Sequence, residues 1–129
     1  MESILIVDDD INLCSVLSEE LNEIGYNSNF VTSADEVFNF LDKNKVDLLL
    51  LDLKMPEKDG FYVLNKLHEE SIALKVIVLT AYADVKSAID SARLGASDFI
   101  SKPYDLDELI ITIRKVLQNE KWKSMPGYY

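Results

Sequence analysis

Short, unbroken apolar runs alternate along the chain with longer stretches in which apolar residues return every three or four positions, and the alternation repeats five times. Ile4 to Val7, Val46 to Leu51 and Val76 to Leu79 are apolar throughout and too short for helices, the pattern of strands covered on both faces. Tyr26 to Val31 and the brief Phe99 to Ile100 complete a set of five. Between them, Ile11, Cys14, Leu17, Leu21 and Ile24 predict a first helix that Gly25 stops. Ser33 with Glu36 forms a capping-box signature for a second, with Val37, Phe38 and Leu41 on its apolar side and Lys43 to Lys45 at its end. Phe61, Leu64 and Leu67 mark a third. Val85, Ala88, Ile89 and Ala92 mark a fourth before Gly95, and Leu106, Leu109, Ile110, Ile113 and Val116 a fifth, capped by Asp105 with Glu108.

Five βα units in about 120 residues predict an α/β fold of the flavodoxin-like, doubly wound (βα)5 type, with a five-stranded parallel sheet in the order 2-1-3-4-5. Residues 1–120 form the expected domain, and 121–129, "KWKSMPGYY", a tail or the start of a linker. Such sheets build their sites beyond the carboxyl ends of the strands, where the strand order reverses. Here that point lies between the first strand, which runs into Asp8, Asp9 and Asp10, and the third, which ends at Asp52.

Acids at 8 to 10 can simply cap a helix, a contribution of a few tenths to about 1 kcal/mol. Capping does not account for the convergence with Asp52. Like charges brought together raise one another's pKa and cost stability unless a cation joins them. A hard divalent ion suits such a group, and Mg²⁺ prefers one or two carboxylates, waters and phosphate oxygens. The neighbouring strand ends add Thr80, a hydroxyl, and Lys102, an ammonium. Together these side chains suit a phosphoryl group.

Composition narrows the partners. The 129 residues, 48% of them hydrophobic, suffice for one cored domain. A formal net charge of −10 opposes direct binding to nucleic acid or to anionic membranes. One cysteine, Cys14, and one histidine, His68, exclude an internal disulfide and disfavour zinc. Cys14 is read as core and His68 as solvated. With no apolar run long enough for a signal peptide or a membrane span, a cytoplasmic location is expected.

"ILIVDDD", "LLLLDLKMPEKDG", "VIVLTAYAD" and "GASDFISKPY" resemble the signature segments of two-component response-regulator receiver domains, in the right order and on the right elements, over residues 3 to about 119. The resemblance implies that Asp52 is the phosphoacceptor, and that Asp9, Asp52 and the backbone carbonyl of Lys54 bind Mg²⁺, or Mn²⁺, with Asp8 acting through water. It makes Lys102 and Thr80 the phosphoryl contacts, and Thr80 with Phe99 the switch pair. Lys54 and Tyr82 occupy the positions that tune the lifetime of the phosphorylated state. A cis peptide between Lys102 and Pro103 is implied as well. Asp10 is read as a helix cap.

The implied function is a signalling switch and not an enzyme acting on other molecules. A histidine kinase or phosphotransfer protein donates the phosphoryl group. The fourth helix, fifth strand and fifth helix then meet an output domain, a target protein or a second copy in a phosphorylation-dependent homodimer. A haloacid-dehalogenase-type phosphatase is a rival, with Asp8 and Asp10 as its Asp-x-Asp pair, but it lacks the further acids expected after its lysine. A metal-independent pseudo-receiver would typically have lost a site residue.

Overall fold

The computed structural model describes residues 1–81 and 84–123, with the side chains of 119–123 excepted. Its elements run β1 (Ser3–Val7), α1 (Ile11–Glu23), β2 (Asn27–Val31), α2 (Ala34–Lys43), β3 (Leu48–Leu51), α3 (Gly60–Glu69), β4 (Lys75–Thr80), α4 (Val85–Arg93), β5 (Asp98–Ser101) and α5 (Leu106–Lys123). All neighbouring strands pair in parallel, in the order β2-β1-β3-β4-β5, which is the expected doubly wound arrangement. Leu48 to Leu51 are each at most 1% exposed, because this central strand is covered on both sides. Alternate strand residues therefore feed two cores. Ile4, Ile6, Leu48, Leu50, Ile77 and Leu79 meet α1 and α5, whereas Leu5, Val7, Leu49, Leu51, Val76 and Val78 meet α2 and α3.

Local chemistry sets the helix ends as the sequence implies. Ser33 accepts from the Glu36 N–H and donates its hydroxyl to the Glu36 carboxylate at 2.9 Å. Gly25 and Gly95 take φ of +110° and +99°, which stop α1 and α4 at the cost that only glycine avoids. Asp105 accepts from the N–H of Asp107, not from that of Glu108. The backbone of α5 continues helically through Lys123, into the segment read as a tail.

Two helices do not bury the faces their periodicity suggested. In α1, Cys14, Leu17 and Leu21 are buried, but Ile11 and Ile24, at its two ends, lie outside the contact with the sheet. In α4, Val85 and Ile89 are exposed, at 76% and 47%, and the buried residue is Ser91. The covered side of α4 carries Ser91, and its larger apolar residues are turned outward. His68 is exposed and Cys14 is core, as expected.

One buried group has no partner. The Ser28 hydroxyl on β2 is enclosed without a hydrogen bond among the described residues, a burden of about 1–3 kcal/mol for a polar group. Ser28→Ala should therefore raise stability by about 1 kcal/mol in urea unfolding, with the slope of the transition unchanged.

Candidate functional site

Backbone pairing continues one step past the strands and fixes the residues that follow them. The N–H of Asp52 donates to the Val7 carbonyl at 3.0 Å, that of Asp8 to Val31 at 3.3 Å, and that of Lys102 to Thr80 at 2.8 Å. Asp8, Asp52 and Lys102 are thereby held at one end of the sheet.

The two buried acids are anchored in the same way. One oxygen of each closes a turn onto its own chain: Asp8 Oδ1 accepts from the Asp10 N–H at 3.0 Å, and Asp52 Oδ1 from the Lys54 N–H at 3.1 Å. The other oxygen of each faces Lys102, whose Nζ lies 2.5 Å from Asp8 Oδ2 and 3.3 Å from Asp52 Oδ2. Neither carboxylate is free to swing away. Asp9 is exposed, yet one of its oxygens lies within 4.8 Å of oxygens from Asp8 and Asp52. Asp10 caps α1, accepting from the Leu13 N–H at 3.1 Å, so its role is the expected cap.

Burial raises the pKa of Asp8, and the ammonium of Lys102 and the N–H of Asp10 only partly oppose it. For Lys102, burial acts to lower the pKa, but Asp8 and then Asp52 outweigh it and the group stays protonated above its ordinary range. Three carboxylates against one ammonium leave two negative charges, which a divalent cation would neutralise. Three hard oxygen donors at this separation fit Mg²⁺ and do not fit a soft metal. Cys14 donates its thiol to the Asp8 carbonyl at 3.4 Å; burial, then the charges of Asp8 and Asp10, push its pKa up to about 11, so it is no thiolate ligand.

A cavity of about 530 Å³ opens over this group, and Asp9, Lys54, Thr80 and Lys102 are among its lining residues. Thr80 is fully buried at the end of β4. Phe99 pairs in register with Val78, and Ser101 with Thr80, so Thr80 and Phe99 are diagonal neighbours on one sheet face. Phe99 is half-buried against the α2–α3 core. The Lys102–Pro103 peptide is cis, as expected. Tyr82 lies outside the described residues, as do Tyr128, Tyr129 and the side chain of Trp122.

Sequence reasoning gave no role to Gly60, the first residue of α3. A Cβ there would stand 2.3 Å from the Asp52 carbonyl oxygen and 2.7 Å from Leu53 Cα. Its N–H also donates to the Leu53 carbonyl at 3.0 Å. The available signal was a glycine directly after the helix cap Asp59, where a good helix former would otherwise be expected.

Residues 4–114 match the family model of the response regulator receiver domain. Among curated proteins, the chain is 34% identical over 121 residues to the regulatory protein AtoC of Escherichia coli (strain K12), covering 94% of this chain and 26% of that protein. It is 36% identical over 114 residues to the transcriptional regulatory protein ZraR of the same strain, covering 88% and 26%. The chain thus spans about a quarter of the length of these relatives. Among solved structures it resembles a CheY-like response regulator receiver domain protein from Methanospirillum hungatei JF-1 (TM-score 0.89, 28% identity, 96% of this chain and 99% of that one). It also resembles the response regulator protein TrrA from Thermotoga maritima, solved in complex with Mg²⁺-BeF (TM-score 0.80, 32% identity, 90% and 99%).

Proposed function

Because this chain belongs to the response regulator receiver domain family, we propose that Asp52 accepts a phosphoryl group from the phosphohistidine of a histidine kinase or phosphotransfer protein, in a Mg²⁺-dependent reaction. The observation that carries this reading is the Asp52 carboxylate, pinned through Oδ1 to the Lys54 N–H and presented through Oδ2 to Lys102 beside Asp8 and Asp9. In the reaction an Asp52 oxygen attacks phosphorus, the P–N bond to the donor breaks, and the imidazole leaves. Phosphoryl transfer needs mainly alignment and charge stabilisation. Lys102 supplies a buried positive charge for the phosphoryl oxygens, and Thr80 a hydroxyl.

Asp9, Asp52 and the Lys54 carbonyl are the proposed ligands of Mg²⁺, or of Mn²⁺, with Asp8 acting through water; the ion supplies neutralising charge at the transferred group. Once Asp52 is phosphorylated, Thr80 is drawn toward it and Phe99 fills the space released, its half-buried ring being the diagonal neighbour. The change is read on α4, β5 and α5, where Val85, Ile89 and Ile111 are exposed. An output domain, a target protein or a second copy in a phosphorylation-dependent homodimer would dock there. Lys54 and Tyr82 tune how long the acyl phosphate lasts. The chain is a switch that loses its own phosphate slowly, not an enzyme for other substrates. Among the described residues no helix is long and apolar enough to cross a membrane, and a cytoplasmic site of action suits a kinase-fed switch.

Labelling with acetyl phosphate and Mg²⁺, followed by borohydride trapping of the acyl phosphate and peptide mapping, tests the reading. Label is expected on Asp52 alone. Label on Asp8 or no label at all overturns it.

A further inference from the structure

β2 is an outer strand, paired among the described residues with β1 alone. The Asn27 N–H donates to the Glu2 carbonyl and the Val31 carbonyl accepts from Asp8, so these residues turn their backbone toward β1. The intervening Ser28 and Phe30 turn theirs outward. Outward-facing N–H and C=O groups are a template for another strand, and natural sheets usually blunt them with charge or proline. This edge has neither. From Gly25 to Ala34 no residue is charged, in a chain of net charge −10, and none is proline.

A side chain from α1 fills the template instead. Asn22 Oδ1 accepts from the Ser28 N–H at 2.7 Å, and Asn22 Nδ2 donates to the Ser28 carbonyl at 3.5 Å. The Ser18 hydroxyl donates to that same carbonyl at 3.2 Å. A carboxamide sets an acceptor beside a donor, the same pair that a neighbouring peptide group would present. The Tyr26 N–H, the previous outward group, is closed off by the Leu21 carbonyl at 3.1 Å. At Phe30 the protection ends: its backbone groups meet no partner among the described residues, and its ring is 37% exposed.

We propose that Asn22 guards the free edge of β2 by standing in for a neighbouring strand, and that without it this edge pairs with the same edge of a second copy of the chain. With Asn22 in place Phe30 is the one open outward position among the described residues of β2, and one open residue is too short for a ladder. Without it the Ser28 N–H joins the outward groups of Phe30 beside an exposed ring, while the Ser28 carbonyl keeps the Ser18 hydroxyl. Two such edges are self-complementary about a twofold axis, and the strand itself carries no charge from Gly25 to Ala34 to keep them apart.

The test uses the unphosphorylated chain, so that association at α4, β5 and α5 does not intrude. In the parent, the Ser28 amide should exchange with solvent at least about tenfold more slowly than that of Phe30 on the same edge; equal exchange overturns the guard. Asn22→Ala should form dimers in sedimentation velocity, and adding Phe30→Lys should return the protein to a monomer whose Ser28 amide has lost its protection. An Asn22→Ala protein that stays monomeric to millimolar concentration overturns the proposal, as does association that Phe30→Lys fails to reverse. If Asn22→Ala does not fold, Asn22→Gln, which moves the carboxamide out of register by one methylene, takes its place with the same outcomes.

Discussion

Asp52→Asn should take up no measurable phosphate from acetyl phosphate, a loss of at least about a hundredfold, because an amide oxygen lacks the charge and nucleophilicity of a carboxylate. The substitution preserves shape. Asn can still accept from the Lys54 N–H that now holds Asp52 Oδ1 at 3.1 Å, so the loss would not come from misfolding. It also removes one of the two buried carboxylates that share the Lys102 ammonium. Without metal the variant should therefore be as stable as the parent or slightly more so. Added Mg²⁺ separates the two proteins again. An ion that binds only the native state raises stability by about 2.7 kcal/mol at a hundred times its dissociation constant, and the parent's thermal midpoint should rise accordingly. Asp52→Asn should lose most of that rise. A variant that stays unlabelled yet keeps the full Mg²⁺ response would leave Asp52 as phosphoacceptor and remove it from the metal's ligands.

Much of this architecture is legible in the sequence because period and position carry it. Continuous apolar runs such as Leu48 to Leu51 mark strands covered on both sides, and acids placed directly after two such runs must meet once the strand order is fixed. What periodicity leaves open is direction. In α4 the apolar positions Val85 and Ile89 form a stripe, yet both are exposed and the residue that packing buries is Ser91. The sequence is also silent on how a carboxylate is aimed. Asp8 and Asp52 each spend one oxygen on an N–H two residues ahead, a turn that any aspartate can make or forgo. Asn22 reads as an ordinary surface residue near the end of a helix; its contact with Ser28 exists only because α1 crosses the sheet's edge. Gly60 belongs with these, since nothing in its own segment announces a backbone 2.3 Å from where its Cβ would be.

Gly60→Ala should cost both stability and phosphorylation, whereas Gly25→Ala should cost stability alone. At Gly60 the obstacle is the Asp52 carbonyl oxygen and Leu53 Cα, at 2.3 and 2.7 Å from the new methyl. These are backbone atoms, which cannot rotate aside as a side chain could. Either the start of α3 or the Asp52–Leu53 peptide must shift by about 1 Å, a kind of overpacking that typically costs about 1–3 kcal/mol. The shift also acts on the reaction, because the same peptide aims Asp52 at Lys102, 3.3 Å away. A misplacement of that size can slow a reaction by about a hundredfold. Gly25 provides the contrast. It holds φ at +110° with nothing within 4 Å of a Cβ, so alanine there meets backbone strain of about 1–2 kcal/mol and no neighbour. Urea unfolding should place the two variants within a few kcal/mol of each other, while the initial rate of labelling by acetyl phosphate, measured where both are folded, should fall only for Gly60→Ala. If Gly60→Ala is destabilised but labels at the parent's rate, the close contact supports the fold and does not position Asp52.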